Sequence, residues 1–62
     1  MKNYVFEVSE SFKDLVVTYG IEGISPIDVG EECEDRGIIY RKLIDWDYDS
    51  YNGTLDIYVE NY

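Results

Sequence analysis

Residues 44–60 read IDWDYDSYNGTLDIYVE, from Ile44 to Glu60, with an alternating run on each side of Asn52-Gly53. Asn-Gly between two period-2 segments is the strongest short-range signal for a β-hairpin. A two-residue turn at that point predicts the register. Tyr51 should pair with Thr54, Ser50 with Leu55, Asp49 with Asp56, Tyr48 with Ile57, Asp47 with Tyr58, Trp46 with Val59 and Asp45 with Glu60. Paired residues share a face. The hairpin therefore sorts into an apolar face (Trp46, Tyr48, Leu55, Ile57, Val59) and an acidic one (Asp45, Asp47, Asp49, Asp56, Glu60), the latter also carrying Tyr51 and Tyr58. In this register Asp49 opposes Asp56 and Asp45 opposes Glu60. Like-charge pairs of this kind cost about 0.2–1 kcal/mol each, and a strand that needed only solubility would place a lysine in one of those slots.

The rest of the chain is read outward from this hairpin. Asn3 to Val8 alternates, with Tyr4, Phe6 and Val8 on one side, and reads as a strand. Ser11 to Asp14 resembles a capping box, after which Phe12, Leu15, Val16 and Tyr19 fall on one helical face and Gly20 stands where a helix-ending glycine belongs. The same segment also alternates at Leu15, Val17, Tyr19 and Ile21, so helix and strand compete there, and the helix is preferred. Ser25-Pro26 with Asp28 offers a second helix start, which Gly30 should keep short. Glu31, Glu32, Glu34 and Asp35 form a second acidic cluster on that loop or short helix. Ile38 to Tyr40 should begin the long strand that runs into the hairpin. The expected fold is α+β, a single minidomain over 1–62. It should have a small antiparallel sheet of three or more strands dominated by the 38–60 hairpin, with one short helix on the apolar face. The strand Thr54–Glu60 is expected at an edge, a route to a homodimer by strand addition.

Composition narrows the function. A chain of 62 residues buries only about 60% of the surface that its unfolded form exposes, so its core is marginal without help from a disulfide, a metal or another chain. With one cysteine, Cys33, and no histidine, an internal disulfide and a cysteine–histidine zinc site are excluded. Fourteen acidic residues against five basic ones give a net charge of −9, which argues against direct binding to nucleic-acid phosphates and to anionic membranes. At 45% hydrophobic and 16% aromatic, the chain is far from the signature of disorder. No signal-peptide pattern or membrane-length apolar run is apparent, and the lone thiol suits a reducing compartment. A soluble cytoplasmic protein is expected, in the host cytoplasm if the protein is viral.

Catalysis has little to draw on: no histidine, and a cysteine whose acidic neighbours raise its pKa. No cofactor is called for. Asp45, Asp47, Asp49 and Asp56 match positions 1, 3, 5 and 12 of an EF-hand-like calcium loop, but Ser50 replaces the turn glycine and the flanks read as strands. What remains is a row of carboxylates. Side chains on one strand face recur about every 6.8 Å, inside the roughly 8 Å screening length at physiological salt and of the order of the spacing of phosphates along a nucleic-acid strand. Such a row would suit a groove kept electropositive for nucleic acid, with Tyr51 and Tyr58 as amphipathic anchors. Tyr4, Tyr19 and Tyr48 are assigned to the core and Tyr62 to the surface, while Tyr40 fits neither face. The expectation is a small non-enzymatic inhibitor of viral or mobile-element type, comparable in composition to anti-restriction and anti-CRISPR proteins. Its partner would be a basic nucleic-acid-handling protein. An immunity or antitoxin protein that neutralises a basic toxin, and a calcium-binding module, are the alternatives. The candidate partner-binding residues are Asp45, Asp47, Asp49, Asp56, Glu60, Tyr51 and Tyr58, together with Glu31, Glu32, Glu34 and Asp35.

Overall fold

A computed structural model describes residues 1–62. In chain order it holds β1 (Lys2–Glu7), α1 (Glu10–Tyr19), a single 3₁₀ turn (Ile21–Gly23), α2 (Pro26–Asp35), β2 (Lys42–Asp49) and β3 (Thr54–Glu60). The α+β class and the carboxy-terminal hairpin are present, but with two ten-residue helices instead of one short one. The three strands form one antiparallel sheet in the order β1-β3-β2. β3 is thus the central strand and not an edge, which removes the dimerisation route expected through Thr54–Glu60.

The helices start where side chains cap them. Ser9 is the N-cap of α1, its Oγ accepting from the Phe12 amide at 3.2 Å, so the start lies two residues before the Ser11 expected from sequence. Gly20 ends the helix with φ 76°. Ser25 caps α2 in a full capping box: the Asp28 amide donates to Ser25 Oγ at 3.4 Å, and the Ser25 amide donates to Asp28 Oδ2 at 3.0 Å. Gly30 fails to shorten α2. A Cβ there would lie 3.3 Å from the Tyr40 hydroxyl, so the glycine makes room for a tyrosine that packs against the core. A helical glycine costs about 1 kcal/mol relative to alanine, and packing of the helix outweighs it.

The buried centre joins all the layers. Phe12 of α1, Val29 and Cys33 of α2, and Leu55, Ile57 and Val59 of β3 belong to one cluster with Val8 and Ile24. The last three, with Val29 and Cys33, are wholly inaccessible. Full burial of such side chains contributes roughly 1.5–3 kcal/mol each, so β3 supplies much of the hydrophobic drive. Phe12 meets Tyr48 of β2 with ring centroids 5.4 Å apart, tying α1 to the hairpin. Tyr4 and Tyr48 pack against this core as expected, whereas Tyr19 is 65% exposed.

The hairpin keeps its predicted faces in a different register. Asp49 pairs with Thr54, Tyr48 with Leu55, Asp47 with Asp56, Trp46 with Ile57 and Asp45 with Tyr58. The loop therefore has four residues, Ser50–Gly53, instead of two. A type I′ turn would need a positive φ at Asn52, and only glycines have one here. Asp49 organises the loop instead. Its Oδ1 accepts from the amides of Tyr51 (3.0 Å) and Asn52 (3.2 Å), its Oδ2 accepts from Asn52 Nδ2 (2.7 Å), and its carbonyl accepts from the Gly53 amide (2.8 Å). Gly53, at φ 68°, is buried beneath Lys13. A two-residue slip leaves every side chain on its own face, because the side-chain period is two. It also places Leu55 against Tyr48 instead of Ser50, and it separates both expected like-charge pairs while bringing Asp47 opposite Asp56.

One irregularity lies further along β2. The register shifts between Leu43 and Asp45, the mark of a β-bulge. Leu43 turns toward the core and Ile44 is left 46% exposed. The strand begins only at Lys42, so residues 38–41 approach it outside regular structure.

Candidate functional site

The pairing of the strands defines the outer face of the sheet, opposite the core. Its rows run across β1, β3 and β2: Asn3–Tyr58–Asp45, then Val5–Asp56–Asp47, then Glu7–Thr54–Asp49. Asp45, Asp47, Asp49 and Asp56 are thus brought together on one face. Glu7 joins them from β1. The alternation of β1 marked Glu7 as outward, but nothing in the sequence says that β1 neighbours β3.

None of these five carboxylates is paired with a cation. The ion pairs of the protein are Lys13–Glu10, Arg36–Glu32 and Arg41–Glu60. Each aspartate is instead steered by neutral donors. Asp45 Oδ1 accepts from the Trp46 amide at 2.8 Å and Asp47 Oδ1 from the Tyr48 amide at 3.0 Å. Asp56 accepts from Asn3 Nδ2, which also donates to the Ile57 carbonyl at 2.9 Å. Asp49 is held by the loop, and these hydrogen bonds lower its pKa below the ordinary carboxylate value, the Asn52 side chain contributing most. Asp47 and Asp56 stand directly opposite each other in the ladder. Cross-strand neighbours on one face lie about 4.5–5.5 Å apart at Cβ, so negative charge is concentrated here.

Other expected members are placed differently. Glu60 lies opposite Lys42 and is paired with Arg41, whose amide also donates to the Glu60 carbonyl at 2.8 Å. The two-residue slip moved it away from Asp45 and toward the basic entry of β2. Tyr58 lies on the acidic face, 37% exposed, and Tyr51 projects from the loop at 95% exposure. In α2, Glu31, Glu34 and Asp35 are exposed, but Val29 and Cys33 turn this helix toward the apolar side of the sheet. The two acidic clusters therefore do not merge into one surface.

Glu32 is a fold residue. It is 5% exposed, accepts from the Ser9 amide at 2.7 Å and from Ser9 Oγ at 2.8 Å, and pairs with Arg36 at 3.5 Å. The sequence held a signal for this: Glu32 stands three residues after Val29 and four before Arg36, on the helical stripe that also carries Cys33. Arg36 continues the chain of contacts, stacking 4.7 Å from the Phe6 ring and donating to the Glu7 carbonyl.

The calcium alternative loses its geometry. Asp45, Asp47 and Asp49 lie in an extended strand, where a calcium loop would turn, and no three acidic, cysteine or histidine side chains converge to hold a metal ion. Cys33 is fully buried, and its thiol pKa is raised by that burial and then by Glu32. Burial also raises the Tyr40 pKa, with Cys33 as the second cause. An open cleft of about 380 Å³ beside the end of α2 is lined by Glu34, Ile38, Ile39, Tyr40 and Tyr62 among others, apart from the acidic sheet face. No helix is long and apolar enough to cross a membrane.

Compared with known proteins, the chain matches no family model, no curated protein and no solved structure. The functional reading rests on the geometry.

Proposed function

We propose that this protein is a small non-enzymatic inhibitor that covers a basic nucleic-acid-binding site on another protein, its outer sheet face standing in for phosphates. The observation that carries this reading is the set of five carboxylates (Glu7, Asp45, Asp47, Asp49, Asp56) on one face without a cation of the chain to neutralise them. Solvated acidic strands usually alternate with lysines, because like charges placed opposite each other destabilise a sheet. Here none of the five cations pairs with these carboxylates: Lys42, opposite Glu60, stands at one end of the face, and Arg41 takes Glu60. Neutral hydrogen bonds orient the aspartates without cancelling them, so less side-chain freedom is lost on binding. Charge complementarity would speed the encounter and exclude anionic competitors. The partner is a basic nucleic-acid-handling protein, and the context is a viral or mobile-element inhibitor acting in a host cytoplasm.

The test is the triple variant Asp45→Asn, Asp47→Asn, Asp56→Asn. Asparagine retains the oxygen that accepts from Trp46, Tyr48 and Asn3, so the fold should persist. Asp49 is left in place because the loop uses it. Capture from bacterial lysate at low salt should yield a basic nucleic-acid-handling protein with the native chain, released by high salt and by competing DNA or RNA. The variant should recover none of it. Equal recovery by the folded variant would refute the decoy reading, and capture of a basic toxin that competes with no nucleic acid would favour the immunity alternative.

A further inference from the structure

A three-stranded sheet has two edges, and in this protein they differ. The direction of each backbone group follows from the loop hydrogen bonds. The Val8 amide donates to the Gly53 carbonyl at 3.0 Å. In an antiparallel ladder the groups pointing to one neighbour alternate, so Lys2, Tyr4 and Phe6 point toward β3 and Asn3, Val5 and Glu7 point outward. On the other side, the Asp49 carbonyl accepts from the Gly53 amide. Asp45, Asp47 and Asp49 therefore point toward β3, and Trp46 and Tyr48 point to the outer edge of β2.

Those two outward amides of β2 are already occupied. Asp45 accepts from Trp46 and Asp47 from Tyr48. Together with the bulge at Leu43–Asp45, this closes the β2 edge to an added strand, a device that sheet proteins use against edge pairing. The β1 edge is open. Arg36 takes the Glu7 carbonyl, which leaves the amides and carbonyls of Asn3 and Val5 without partners in the protein, and Val5 is 60% exposed.

We infer that the β1 edge is a self-association site, at which β1 of a second copy adds antiparallel about a two-fold axis at Tyr4. In this register Asn3 of each copy faces Val5 of the other. A hydrogen-bonded antiparallel pair exchanges both of its bonds, so the two pairs use the amides and carbonyls of Asn3 and Val5 on each edge and need nothing from Glu7. Tyr4 meets Tyr4 of the second copy on the axis. Both copies keep the same face outward, because the pairing joins odd positions to odd positions and even to even. The product is one six-stranded sheet in the order β2-β3-β1-β1-β3-β2, with the two acidic faces on the same side, flanking a neutral seam of Asn3 and Val5, and both outer edges closed by Asp45 and Asp47. A domain of this size commonly gains stability by association, and the inference stands whether or not the acidic face is a decoy.

Sedimentation of the full chain at moderate salt tests it, with amide hydrogen exchange on the same samples. The expected result is a species of twice the 7.3 kDa chain mass, with the Asn3 and Val5 amides gaining protection as concentration rises. Val5→Pro removes one outward amide without touching the ladder to β3, a position at which an edge strand accepts proline, and should weaken dimerisation at least tenfold. If that variant does not fold, the exchange pattern of the native chain decides. A monomer at every concentration up to the millimolar range overturns the inference. So does a dimer in which the Asn3 and Val5 amides exchange freely.

Discussion

Two stretches of this chain are dense in negative charge, Asp28–Asp35 in α2 and Asp45–Asp56 in the hairpin, and the fold uses them in opposite ways. In α2, Asp28 closes a capping box and Glu32 is buried against Ser9 and Arg36. In the hairpin the aspartates face outward and meet neutral donors only. The difference lies in where each stretch stands relative to the core. A carboxylate on the helix stripe that carries Val29 and Cys33 enters the interior and must be satisfied there. One on the solvent side of a strand stays in water, where repulsion from its neighbours is small enough to tolerate. Equal charge density thus serves stability in one region and stays without an ion-pair partner in the other.

The largest effect should come from breaking the helical side of this comparison. Glu32→Ala leaves the Ser9 amide and hydroxyl and the Arg36 guanidinium short of a partner in a part-buried site. Unsatisfied polar groups of this kind cost about 1–3 kcal/mol, so a loss of about 2–3 kcal/mol is expected. Thermal unfolding would register that as roughly 10–20 °C for a domain of this size. Glu32→Gln sharpens the point, since it keeps one acceptor but loses the ion pair, and should fall between. The triple asparagine change on the sheet removes three charges, yet should not lower the melting temperature.

Asp49 is the exception within the hairpin, because its carboxylate builds the Ser50–Gly53 loop. Its folded-state pKa lies below the unfolded one. For a depressed carboxylate the stabilisation is present above the unfolded pKa, near about 3.9, and is lost as pH falls through the folded value. Acid unfolding of the native chain should therefore contain a destabilising component below about pH 4 that Asp49→Ala lacks. At neutral pH that variant should melt below the native protein and show lower exchange protection at Gly53, whose amide donates to the Asp49 carbonyl. Identical pH profiles for the two chains would show that the loop does not depend on the charge.

What was legible in the sequence divides along a physical line. Face assignments in the hairpin survived an error in register because a slip of two residues preserves them. The register differs from the expected one because Asn52-Gly53 forms a two-residue turn only if Asn52 takes positive φ. Asp49, by accepting from Tyr51 and Asn52, favours a longer loop. The start of α1 is ambiguous in sequence because Ser9 and Ser11 are both capping residues, and the distant Glu32 fixes Ser9. The strand order has no local signature, so neither the central position of β3 nor the contribution of Glu7 to the acidic face could be read from alternation. The length of α2 is hidden at Gly30, since the cause of that glycine is a tyrosine ten residues away. Local periodicity was readable, and contacts between segments were not.

The smallest expected effect probes the sheet side of the comparison most directly. Asp47 and Asp56 form the one like-charge pair directly opposed on the outer face. Replacing either should relieve a repulsion of about 0.2–1 kcal/mol. Asp47→Asn keeps the oxygen that accepts from Tyr48 and so isolates the charge from the hydrogen bond. It should raise the melting temperature by a few degrees at low ionic strength, and the gain should shrink as salt is added, because exposed charges are screened over about 8 Å at physiological ionic strength. In the double variant with Asp56→Asn the second substitution should add little, since the first has already removed the pair. On the proposed function, this repulsion is the cost of a face kept charged for a partner. If both single variants instead melt lower than the native chain, the carboxylates serve the sheet and not a partner.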